Sequence, residues 1–206
     1  MIQIKILQER YSCRTKDLFW YKEMRLAVEL IVKEKKTLAD IRWLSEQTNL
    51  YNAASSSRAN EIRVVIARRI NAVNDNFLEF YNNQTMDVQK ILTVIMIMLT
   101  DRTFFEFMND VYKEKLIAGG TELHDSDILG YFHALQEKDV QAEKWTDEGM
   151  KKVRDNYKLI LKDSGMTSHM GVVRKILKPI ISAELKDFLQ KEGLIQIYRI
   201  LAGVRG

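Results

Sequence analysis

One cysteine and one proline are all that 206 residues contain of the two amino acids that most restrict a chain. A single thiol, Cys13, excludes an internal disulfide and fits a reducing cytosol. A single proline, Pro179, with nine glycines leaves most of the chain open to helix, and Leu, Ile, Lys, Glu and Met supply good helix formers. Long apolar runs are absent as well. The longest, Ile91 to Leu99, has nine residues and includes Thr93, whereas a spanning helix needs about 20, so it reads as a buried central helix. The first seven residues, Met-Ile-Gln-Ile-Lys-Ile-Leu, lack the basic region and apolar stretch of a signal peptide. The expectation is a cytoplasmic protein with no membrane segment.

Catalytic equipment is equally sparse. His124, His133 and His169 are scattered, with no two at metal-ligand spacing on a helix, and Cys13 has no thiol partner. There is no Gly-x-Ser-x-Gly elbow, and Gly119-Gly120-Thr121 lacks the lysine of a phosphate loop. The acidic pairs Asp125 with Asp127 and Asp147 with Glu148 sit where helix N-termini favour carboxylates in any case. The sequence therefore points to no enzyme, no cofactor and no metal.

What is present is a 46% hydrophobic chain, enough for a substantial core, with a net charge of +4 that is unevenly spread. Residues 1–80 hold 14 Lys and Arg against 10 Asp and Glu, residues 81–146 hold 6 against 11, and residues 147–206 hold 12 against 7. Two basic ends around an acidic middle suit a polyanion on one side and solvent or a basic protein on another.

The pattern predicts an all-α helical bundle. Ile2, Ile4 and Ile6 alternate with polar residues as in a short strand. Helices follow over about 15–35, with a Thr37 and Asp40 capping pair opening a second over 38–49. Ser55, Ser56 or Ser57 then caps a third, whose Ile62, Val65, Ile66, Ile70 and Val73 make an apolar stripe. Helix, short turn and basic helix fit a helix-turn-helix. Further helices begin at Thr85, after Asp101, at Asp125 or Ser126, at Thr146 and at Ser182. Gly119 to Asp127 is the one credible linker, dividing an N-terminal bundle, 1–118, from a C-terminal subdomain, 125–206. Residues 166–182, basic and β-branched, read either as a β-hairpin, which would make that subdomain winged-helix-like, or as one more helix over 172–178.

A capped helix start carries free amides and the positive end of a dipole, so it receives anions. On the third helix Arg63 and Arg68 fall outside the apolar arc, whereas Arg58 and Arg69 project toward its middle and predict at least one internal carboxylate partner. The candidate DNA contacts are Ser55, Ser56, Ser57, Asn60, Arg63 and Arg68, with Arg58 included only because it sits in the first turn beside the serines, and in the C-terminal part Lys151, Lys152, Lys158, Arg174, Lys175 and Lys178. Only Asn60 and Arg63 look placed for base edges, so sequence preference should be weak.

The runs Ser55-Ser56-Ser57-Arg58 to Arg68-Arg69, Phe104-Phe105-Glu106-Phe107 with Tyr112-Lys113-Glu114-Lys115-Leu116, Trp145-Thr146 with Lys151-Lys152, Leu161-Lys162-Asp163-Ser164-Gly165-Met166, and Ile181-Ser182-Ala183-Glu184-Leu185 resemble the BrxA family of bacterial BREX phage-exclusion systems. The likeness spans about 11–189 and departs from the family pattern at Lys16-Asp17-Leu18-Phe19. It implies a non-enzymatic helical protein similar to the NusB antitermination fold, with double-stranded DNA as ligand and other phage-defence proteins as neighbours. An adaptor that docks other defence proteins through the acidic middle, or an RNA binder, are the alternatives.

Overall fold

Side chains that accept a bond from their own first turn set where the helices begin. The computed structural model, which describes residues 1–205, shows such caps at α2 (Leu38–Thr48), α3 (Ser56–Asn71), α4 (Asp75–Asn82), α6 (Arg102–Phe107), α9 (Asp147–Asp163) and α10 (Ala183–Lys191). The caps are Thr37, Ser55, Asn74, Asp101, Thr146 and Ser182 respectively. Thr37 and Asp40 form the reciprocal box, with bonds of 3.1 and 2.7 Å. Of the three serines before α3, Ser55 is the cap, its Oγ accepting from the Arg58 amide at 3.2 Å.

The remaining helices are α1 (Tyr21–Glu34), α5 (Met86–Met98), α7 (Lys113–Ile117), α8 (Asp125–Gln136) and α11 (Ile195–Ala202), and a π-helical turn at Met108–Tyr112 links α6 to α7. The protein is all-α, and among the described residues the sheet is a two-stranded antiparallel one of β1 (Glu122–His124) and β2 (Val173–Lys175). Its register pairs Leu123 with Arg174 and places both inward.

Residues 20–96 form one unit, and residues 1–19 with 97–205 form a second. The division falls inside α5, not at the Gly119–Asp127 connection. In the first unit α1 packs on α4 and α3, and α2 packs on α3. Its core holds Met24, Val28, Ile62, Ile66, Phe77 and Tyr81. Each such side chain removed from water contributes roughly 1.5–3 kcal/mol. The one hydroxyl on the apolar face of α5 is satisfied: Thr93 bonds the Tyr81 hydroxyl at 3.0 Å and the Gln89 carbonyl at 2.9 Å.

In the second unit α8 packs on α9, and α10 and α7 on α11. Its core is aromatic: Tyr157 contacts Phe104 edge-on at 4.8 Å, Phe107 at 5.2 Å and Phe132 at 5.6 Å.

Three sequence expectations need correction. The first helix begins at Tyr21 and not near Thr15, because Trp20 takes a left-handed conformation (φ 49°) that stops a helix from extending backward. Ile2 to Ile6 is not a strand: Ile2 donates its amide to the Glu192 carbonyl at 2.7 Å, and Ile6 opens a single turn of 3-10 helix with both isoleucines buried. Residues 172–178 are not a helix. They contain β2, whose main partner is β1 from far upstream, and the local hairpin arm shrinks to the Thr167–Ile176 bridge. Among the described residues, no helix is long and apolar enough to cross a membrane.

Candidate nucleic-acid interface

Seven residues join α2 to α3, and one asparagine fixes their path. Asn49 ends α2 in a left-handed conformation, and its side-chain amide clasps residue 53 from both sides, donating to the Ala53 carbonyl and accepting from the Ala53 amide, each at 2.9 Å. The clasp holds Ala53 and Ala54 so that Ser55 arrives in extended conformation, ready to cap α3. The result is a cleft of about 440 Å³ lined by Ser45, Glu46, Asn49, Ser55, Asn60 and Arg63, among others.

Of the residues expected here, Ser55, Ser56, Asn60 and Arg63 therefore share one concave surface at the start of a 16-residue helix. A guanidinium nitrogen of Arg63 donates to the Asn60 side-chain oxygen, which orients both groups along the same helix face. The one carboxylate in the lining, Glu46, is engaged by Arg42 at 2.9 Å. Ser57 is exposed and Arg68 is half-buried, but neither lines the cleft.

Arg58 is half-buried and its guanidinium is engaged within the protein. Its guanidinium bonds Glu61 at 3.0 Å and stacks over the Trp20 ring at 4.5 Å, since its position on the helix turns it inward. Arg69 lies deeper still, at 1% exposure. Both outcomes follow the helical projection, which placed these two arginines on the apolar arc.

The second cationic group divides sharply. Lys151, Lys152, Lys175 and Lys178 are exposed, with Lys152 paired to Glu148 at 2.7 Å. Lys158 and Arg174 are buried, so neither can meet a duplex; expecting them at the surface was an error with a clear cause. Both reach Asp125, the first residue of α8: the Lys158 ammonium at 3.1 Å, and an Arg174 nitrogen that also donates to the Gly171 carbonyl. Arg154 adds a third cation at 3.7 Å. Burial alone would raise the Asp125 carboxyl, but the hydrogen bonds from Arg174 and Lys158, aided by their charges, hold it below the usual aspartate value.

Sequence reasoning missed Asp125 as a hub because its place in a first helical turn was explanation enough. The signal that could have found it was Arg174 between Val173 and Ile176, since a cation on the inward side of a strand needs an anion. Elsewhere, Tyr11 donates to Glu106 at 2.6 Å while Arg102 sits 4.0 Å over its ring. Burial, followed by the Glu106 carboxylate, pushes that phenol up to about 12. Among the described residues no group of three His, Cys, Asp or Glu could hold a metal ion.

The BrxA family model matches residues 9–193. A BREX protein BrxA of Bacillus cereus (strain H3081.97) is 28% identical over 145 residues, covering 70% of this chain and 72% of that protein. A crystal structure of an uncharacterized protein from Magnetospirillum magneticum superposes with a TM-score of 0.77 at 15% identity, over 95% of this chain and all of the other, and so shares the fold.

Proposed function

The chain belongs to the BrxA family of BREX phage-defence proteins, and from that premise we propose that it is a non-enzymatic accessory which binds double-stranded DNA through the cleft at the start of α3. The observation that carries this reading is the convergence of Ser55, Ser56, Asn60 and Arg63 in that cleft, at a helix end where amides and dipole favour phosphate oxygens. Arg68 and the exposed lysines at 151, 152, 175 and 178 add attraction that does not depend on base sequence. Lys158, Arg174 and Arg58 are no part of the contact set, because each is committed within the protein.

A salt titration of binding to a short duplex of random sequence tests this directly. Each phosphate neutralised adds about 0.9 to the slope of log affinity on log salt, so Arg63 and Arg68 alone predict a slope near −2, steeper with the lysines. The double variant Arg63→Glu, Arg68→Glu should abolish binding; an unchanged affinity or a flat salt response overturns the proposal. Competition with structured RNA separates duplex DNA from RNA as the preferred ligand.

One observation favours a second reading, an adaptor for other BREX proteins: Trp43 lies on α2 with 60% of its surface exposed. If the double variant loses DNA binding yet keeps phage defence, the adaptor role is the operative one.

A further inference from the structure

Exposed large apolar side chains are not scattered evenly over this chain. Met170, Val172, Val173, Leu177 and Ile180 all fall within eleven residues of the segment that contains β2. Ile180 is the extreme case, 92% exposed and directly after Pro179, the only proline. The proline ring fixes its own φ and stiffens the backbone that presents Ile180.

Within the strip itself every charged side chain is a cation. No carboxylate occurs between Asp163 and Glu184, and Lys175 and Lys178 are exposed within the strip. Val173 and Lys175 share the outward face of the sheet with His124 and Glu122, and that glutamate already engages His124 at 3.4 Å. Lys178, Pro179 and Ile180 lie past the end of the paired strand and have no carboxylate beside them in sequence. The base of the segment is held: the Tyr112 hydroxyl donates to the Leu177 carbonyl at 3.4 Å, and the Leu177 amide to the Met166 carbonyl at 2.9 Å.

An apolar tip with two lysines just before it matches the way proteins bend duplex DNA from the minor groove, where an Ile, Leu, Met or Pro wedge enters between base pairs while cations hold nearby phosphates. We propose that the 170–180 segment docks in the minor groove and that Ile180 wedges a base step open, so that this protein bends the duplex it binds. The inference rests on the DNA reading above. It adds that recognition runs through deformability, with pyrimidine–purine steps preferred because they unstack most easily.

The test uses the full-length protein and a duplex of about 30 base pairs with a central TA step, carrying a donor and an acceptor dye at its ends. Saturating wild-type protein should raise energy transfer. Ile180→Ser should bind within about tenfold of wild type yet lose most of that rise, whereas Ile180→Leu, which keeps an apolar wedge, should retain it. Lys178→Glu should weaken binding while leaving the bend of the saturated complex in place. A wild-type complex that forms without bending overturns the wedge and leaves the DNA reading standing, as does equal bending by wild type and Ile180→Ser. Failure of the wild type to bind any duplex overturns both, and leaves the strip as a surface for another protein.

Discussion

Two clusters of cations in this chain look alike in sequence and differ completely in the fold. Around the start of α3, Arg63 stands on a capped helix with an uncharged asparagine as its bonded neighbour, so its charge faces outward. Around the start of α8, Arg174, Lys158 and Arg154 converge on Asp125, and two of the three are buried. A carboxylate at a helix N-terminus answers cations from inside, while a serine there leaves the same dipole open to an anion from outside. The residue at the helix start decides whether the cations around it are drawn inward or left at the surface.

Removing the central anion should have the largest effect. Asp125→Ala strands Arg174 and Lys158 without their partner, at a cost of about 3 kcal/mol or more. Thermal melting should then fall by roughly 6–12 °C for a chain of this size. Its pH dependence follows from the lowered carboxyl. A group depressed on folding stabilises the protein above its unfolded value, near 4, and that stability drains away as pH falls through the folded value. Wild type should therefore lose stability below about pH 4 more steeply than Asp125→Asn, and equal acid limbs would show that the knot is not electrostatic.

Arg63→Glu sharpens the contrast from the other side. Duplex affinity should drop by about tenfold or more while melting stays within a degree or two, since few interactions inside the fold depend on this arginine. The same charge reversal at Arg58 should instead cost stability, by removing the stack on Trp20 and adding a like charge beside Glu61. If Arg58→Glu melts normally and loses DNA, the assignment of inward and outward arginines is reversed. Ser55→Ala should cost about 1 kcal/mol of stability through the lost cap, read by chemical denaturation. Lys152→Ala should sit at the bottom of the scale, with no measurable change in melting, because both it and its partner Glu148 are largely exposed.

The sequence announces helices wherever a polar cap meets an apolar period, and the caps at Thr37, Thr146 and Ser182 stand where that pattern puts them. The helical projection of α3 likewise separates Arg63 from the inward Arg58 and Arg69, because a single helix carries its own geometry. What stayed hidden depends on partners distant in the chain. Arg174 is buried only because β1, some 50 residues upstream, covers its strand, and Asp125 matters only because α9 and β2 both arrive beside it. The same holds at the N-terminus, where Ile2 is held by the Glu192 carbonyl from near the other end of the sequence, so local alternation suggested a strand that does not form.

The clasp of Asn49 on Ala53 carries a kinetic consequence. A turn already locked by two hydrogen bonds has little conformational freedom left to surrender when a ligand arrives, so the loss of motion that usually taxes loop-mediated recognition is small here. Encounter should proceed at the rate electrostatic attraction allows, without a slow ordering phase, and the Ala53 amide should resist deuterium exchange equally with and without bound nucleic acid.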